Sequence, residues 1–188
     1  MECVRSCALE HGVTDSLIWA CYRLGKPVEG LEILCNFAAE QARSLVVLSA
    51  ADSHASGGAH ECALGRTRMH MDTFAKTFKV ALGIAIENAN NRELWYLIFR
   101  SLLEFFGTMG DGNSAVLNAA RSGAHKLLEA ALAAMATAPP DTLVYPSLLE
   151  RLLETNLNIH ARAAIRAVVD GMFDTHRLRR DMLALGLQ

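Results

Sequence analysis

An all-α fold follows from three features of the sequence. Apolar residues recur at helical spacing along nearly the whole chain. No segment alternates apolar and polar residues between hairpin turns. Clusters of Gly, Pro and Asn interrupt the pattern at helix-length intervals. With 188 residues, 52% of them hydrophobic, the chain suits a single domain over 1–188 with a sizeable core. A formal net charge of -2 leaves no basic footprint for nucleic acid, and the apolar content argues against disorder.

Taken in order, Thr14 or Asp15 caps a first helix through Leu17, Ile18, Cys21, Tyr22 and Leu24, which Gly25 stops. Pro27 restarts the chain at a first-turn position. Leu31, Leu34, Cys35 and Ala38 mark one helical face, and Leu45, Val46 and Leu48 continue it. Residues 51–66 break the pattern. Asp52, Ser53, Ser56, Gly57, Gly58 and Gly65, with two histidines, read as a long exposed loop. From Thr67 a long helix places Met71, Phe74, Phe78, Ala81, Leu82 and Ala85 on one side, and the Asn-rich run 88–91 ends it.

The segment 94–106 is apolar on most sides, which predicts a central helix with Trp95, Tyr96, Phe99, Phe105 and Phe106 in the core. The run Gly110-Asp111-Gly112-Asn113 turns the chain into a short helix over 114–121. Gly123 then precedes an alanine-rich helix to Ala138, which Pro139-Pro140-Asp141 stops. Helices over 146–155 and 159–173 and an Arg-rich helix from Thr175 complete the chain.

The order long helix, Gly/Asp/Asn turn, short helix, glycine and Leu-rich helix resembles an armadillo repeat. Its residues are 94–106, Asp111-Gly112-Asn113, 115–120, Ser122-Gly123-Ala124 and 127–135. Glycine at the junction would let two helices meet sharply without a Cβ clash. A fainter copy runs through 31–38, Ala39-Glu40-Gln41-Ala42 and 44–50, with Leu45 and Val46 in the places of Val116 and Leu117. The spacing of the copies is close to two repeats of about 35–40 residues each. A third partial copy spans 148–173, where the related two-helix HEAT pattern fits equally. The resemblance implies a right-handed helical solenoid of a few degenerate repeats, with a compact helical bundle as the alternative. It further implies a groove that binds another protein. The helix matching the groove carries His125 and Lys126, and neither Trp nor Asn over 125–130.

No nucleophile elbow, His-Glu-x-x-His helix or P-loop occurs, and the glycines of 107–112 follow a helix rather than a strand. The expectation is therefore a non-enzymatic scaffold or adaptor in a multi-subunit complex, without a cofactor. Two basic groups are candidates for partner contact: Arg66, Arg68 and His70, flanked by Lys76 and Lys79, and Arg162, Arg166, Arg177, Arg179 and Arg180. A competing metal reading draws on His54, His60, Cys62 and His70, whose spacing departs from the usual zinc pairs. Cys3, Cys7 and His11 share a helical spacing and form a second such group. The five cysteines, an odd number, read as reduced thiols. No apolar run reaches membrane-span length and the N-terminus lacks a secretory pattern. An intracellular, cytoplasmic protein is expected, with organellar import left open.

Overall fold

A computed structural model describes residues 13–52, 58–137 and 146–184, and for 172–184 it describes the backbone alone. All elements among the described residues are helical: α1 (Thr14–Arg23), α2 (Pro27–Asp52), α3 (Gly58–Glu87), α4 (Arg92–Met109), α5 (Ala115–Ala136), α6 (Pro146–Leu153) and α7 (Ile159–Ala184). The all-α expectation holds.

The helix ends follow local chemistry. Gly25, at φ 73, takes the left-handed position after α1, where its N–H donates to Tyr22 O at 2.9 Å and Lys26 N to Cys21 O at 2.9 Å. This satisfies two carbonyls the helix end leaves open. Asn91 caps α4 by accepting from Glu93 N at 3.1 Å, and Ser114 caps α5 by accepting from Leu117 N at 3.1 Å. Asn158 does the same for α7, with its Oδ1 taking Ala161 N at 2.7 Å.

Five features differ from the sequence reading. The cap expected from Thr14 or Asp15 does not form, since Val13 stands at the N-cap of α1 with no side-chain cap bond. The exposed loop expected over 51–66 is mostly helix, since α2 runs through Asp52 and α3 begins at Gly58. Ala63 is buried there, Thr67 Oγ1 donates back to Ala63 O at 2.8 Å, and His60 Nδ1 meets Asp52 Oδ2 at 2.9 Å. Ala, Glu and Leu at 59–64 are helix formers that outweigh the flanking glycines. The turn expected at 39–42 is absent because Ala38, Ala42 and Leu45 share one buried stripe of α2. The junction expected at Gly123 is likewise absent, α5 being continuous. Gly123 has another use: a Cβ there would lie 2.8 Å from Met71 Cε, so the glycine makes room for the end of the Met71 side chain between α5 and α3. Finally, the C-terminal pair is one helix, α7. The stop at 139–141 lies outside the described residues.

Each helix packs on the helix two places further along the chain: α1 on α3, α2 on α4, α3 on α5, α4 on α6 and α5 on α7. Named pairs mark these contacts. Tyr22 Oη donates to Glu87 Oε2 at 2.8 Å and Lys76 Nζ meets Asp15 Oδ2 at 2.8 Å between α1 and α3. Cys35 Sγ donates to Leu97 O at 3.4 Å between α2 and α4, the most extensive contact. Neighbouring helices from α1 to α5, and α6 with α7, also pack on each other, α1 with α2 around Gly30, where a Cβ would lie 3.1 Å from Ile18 O. One apolar cluster joins Ile18 of α1 to Val169 of α7. Trp95 lies fully buried within it, stabilised by its Nε1–H donating to Ala89 O at 3.0 Å. Phe74 and Phe105 stack at 4.6 Å nearby, and Phe99 and Phe106 are buried as expected, whereas Tyr96 is only partly buried at the edge of the cluster.

Candidate functional site

The outer faces of α3, α5 and α7 carry much of the predicted basic set. Arg66 and Arg68 are exposed on α3, beside the exposed Met69. Lys126 is exposed on α5, and Arg166 on α7. Between them α5 presents Ala115, Ala119, Ser122, Ala130, Ala133 and Ala136 to solvent. Arg177, Arg179 and Arg180 lie on α7, with side chains outside the description.

Three predicted contact residues are turned inward instead. His125 is buried, with its ring stacked on Phe106 at 5.3 Å. Its Nε2 accepts from Asn158 N at 3.3 Å, so it ties α5 to the start of α7. Helical spacing put His125 beside Lys126 but could not show that α7 covers it. Arg162 donates from Nε to Leu157 O at 3.2 Å and from Nη2 to Thr155 O at 3.0 Å, which satisfies carbonyls at the α6–α7 turn. His70 is half-buried, with Nδ1 2.7 Å from Gln41 Oε1 across to α2. Burial lowers its pKa.

The metal candidates do not converge. His60 faces Asp52, His70 faces Gln41, and Cys62 is exposed. Among the described residues no group of three His, Cys, Asp or Glu side chains could hold an ion. His54, Cys3, Cys7 and His11 lie outside the described residues.

Two clefts open at the helix ends. One, of about 1190 Å3, is bounded by the Asn-rich α3–α4 turn, Tyr96 and Ser147. The other, of about 580 Å3, lies between the α4–α5 and α6–α7 turns and is lined by Asn118, Arg121, Ser122 and His125 of α5 with Asn156 and Asn158. Arg121 is buried there, donating from Nη1 to Asn118 Oδ1 at 3.2 Å and from Nη2 to Gly110 O at 2.6 Å. Burial lowers its pKa, against the opposing influence of Asp111. The sequence reading missed this cleft. Its signal was the polar series 118, 121, 122 and 125, at helical spacing on a helix otherwise rich in Ala and Leu.

No family model, curated protein or solved structure matches this chain. Its function is therefore argued from the geometry. Among the described residues no helix is long and apolar enough to cross a membrane.

Proposed function

We propose that the chain is a non-enzymatic, armadillo/HEAT-like scaffold that binds another protein across the outer faces of α3, α5 and α7, as a subunit of a larger assembly. The observation that carries this reading is the packing of each helix on the helix two places along. Stacked helical hairpins make that contact, because each hairpin must bury its apolar face on the next. The uninterrupted α2 and α5 favour the two-helix HEAT form over the three-helix armadillo form. A partner surface on the α3–α5–α7 side accounts for Arg66, Arg68, Lys126 and Arg166 sharing one row of helices.

The second reading is a compact helical bundle that serves as a structural subunit without a groove. It draws on the contact between α2 and α5, which crosses from one row to the other. Small-angle scattering separates the two, since a stack gives an elongated distance distribution and a bundle a nearly symmetric one. Cross-linked capture from native extract should then yield a protein whose recovery falls when Arg66, Arg68, Lys126 and Arg166 are all changed to Glu. A globular profile with capture indifferent to those changes would rule the scaffold out.

A further inference from the structure

Arg121 puts a permanent cation into the wall of the 580 Å3 cleft between the α4–α5 and α6–α7 turns. The residue is 6% exposed. Among the described residues no carboxylate lies within ion-pair distance of it. A guanidinium carries five N–H donors. The bonds to Asn118 Oδ1 and Gly110 O engage two of them, both with neutral acceptors. Withdrawing a charge from water without a counter-charge is costly, and a ligand of opposite charge relieves that cost.

The rest of the wall states what the ligand is. Ser122, Asn118 and Asn156 offer hydroxyl and amide groups, which are neutral donors and acceptors. His125 supplies no donor, because both of its ring nitrogens are turned to Asn158. Asp111 stands on the rim and repels a second negative charge. One fixed cation, several neutral hydrogen-bonding groups and one acidic rim residue suit a singly charged, planar anion better than a doubly charged phosphate. The planar fork of arginine matches a carboxylate.

We propose that this cleft binds a carboxylate group through the uncommitted donors of Arg121, with Asn118, Ser122 and Asn156 as neutral partners. The carboxylate comes either from a free monocarboxylic acid or from the C-terminus of a peptide. The site does not depend on the scaffold reading, because its cation, Arg121, is buried and is not one of the exposed basic residues of the proposed partner surface.

Titration calorimetry on the full chain tests it with four probes: butyrate, a short peptide with a free C-terminus, the same peptide amidated, and inorganic phosphate. One of the two carboxylate probes binds saturably, and amidation abolishes binding of the peptide. Arg121→Gln weakens the carboxylate by about tenfold or more, as loss of a charge-assisted pair implies. Ser122→Trp does the same by filling the cleft from its exposed wall, and it keeps every bond of Arg121, so it decides the matter if Arg121→Gln does not fold. Preference for butyrate assigns the site to a small acid, and preference for the peptide assigns it to a partner's C-terminus. The proposal is overturned if neither carboxylate saturates at millimolar concentration, if phosphate binds more tightly than both, or if the folded variants bind as the parent does.

Discussion

Asn158 turns two N–H donors toward the two ring nitrogens of His125: its backbone N lies 3.3 Å from Nε2 and its Nδ2 lies 3.0 Å from Nδ1. A neutral imidazole has one acceptor nitrogen, so it satisfies one of these contacts. An imidazolium would set an N–H against a donor at both. Burial is the main cause of the lowered pKa of His125, with Glu129 opposing and Arg121 reinforcing the shift. The pair therefore holds α5 to α7 only while the ring is neutral.

A pH dependence of stability follows. Between the depressed folded value and the ordinary value of 6.5, the unfolded chain binds the proton and the folded chain does not. The stabilisation is complete above 6.5 and is lost as pH falls through the folded value. His70, also lowered by burial, adds a contribution of the same sign. The urea midpoint should be lower at about pH 5 than at about pH 7.5, and His125→Gln should reduce the difference. Equal midpoints in the parent would contradict the arrangement.

Glycines in the same kind of helix should respond with opposite signs. Gly107 in α4 is exposed and has nothing within 4 Å of a built Cβ, so Gly107→Ala should stabilise by about 0.5–1 kcal/mol through helix propensity. At Gly123 a larger side chain meets Met71. Gly123→Leu should destabilise by about 1–3 kcal/mol, and Met71→Ala should recover part of that loss in the double variant. Additive effects across the cycle would show that the α3–α5 approach does not pass through this pair.

Trp95 tests the centre of the core. Its full burial implies a loss of about 3–5 kcal/mol for Trp95→Ala, read from chemical denaturation. Trp95→Phe should cost less, about 1–3 kcal/mol, since it keeps much of the ring but leaves Ala89 O without its donor. A comparable cost for both variants would point to the hydrogen bond at the α3–α4 turn rather than to volume.

Thiol reactivity should separate two cysteines. Burial pushes the Cys35 thiol up to about 12, so little thiolate exists near neutral pH. Cys62 is exposed on α3. Peptide-resolved alkylation should label Cys62 in the native protein and Cys35 only after denaturation. Labelling of both at one rate would mean that the α2–α4 contact opens readily.

Much of the fold was legible because its evidence is local. Periodicity at 14–24, 67–85 and 94–106 reported real helices, since a helix buries one side wherever it lies. Boundaries fared worse. Glycine reads in sequence as a breaker, yet Gly58 and Gly65 sit in α3 and Gly123 within α5. Whether a glycine ends a helix or admits a neighbour depends on what lies opposite, as Met71 does for Gly123. The candidate site divides in the same way. Arg66, Arg68, Lys126 and Arg166, candidates for partner contact, lie exposed, because long cations default to solvent.

His125 and Arg162 were misplaced, and Arg121 was passed over. His125 owes its role to the distant α6–α7 turn, whereas Arg121 and Arg162 fold back on the turns just before their own helices. Local pattern thus sufficed for the all-α class and for the main apolar faces. Packing settled where the helices end, which polar groups are withdrawn from water, and where a buried cation meets a cleft. Hydrophobic periodicity is a property of neighbouring residues, whereas desolvation of His125 and Arg121 exists only once helices far apart in sequence have docked.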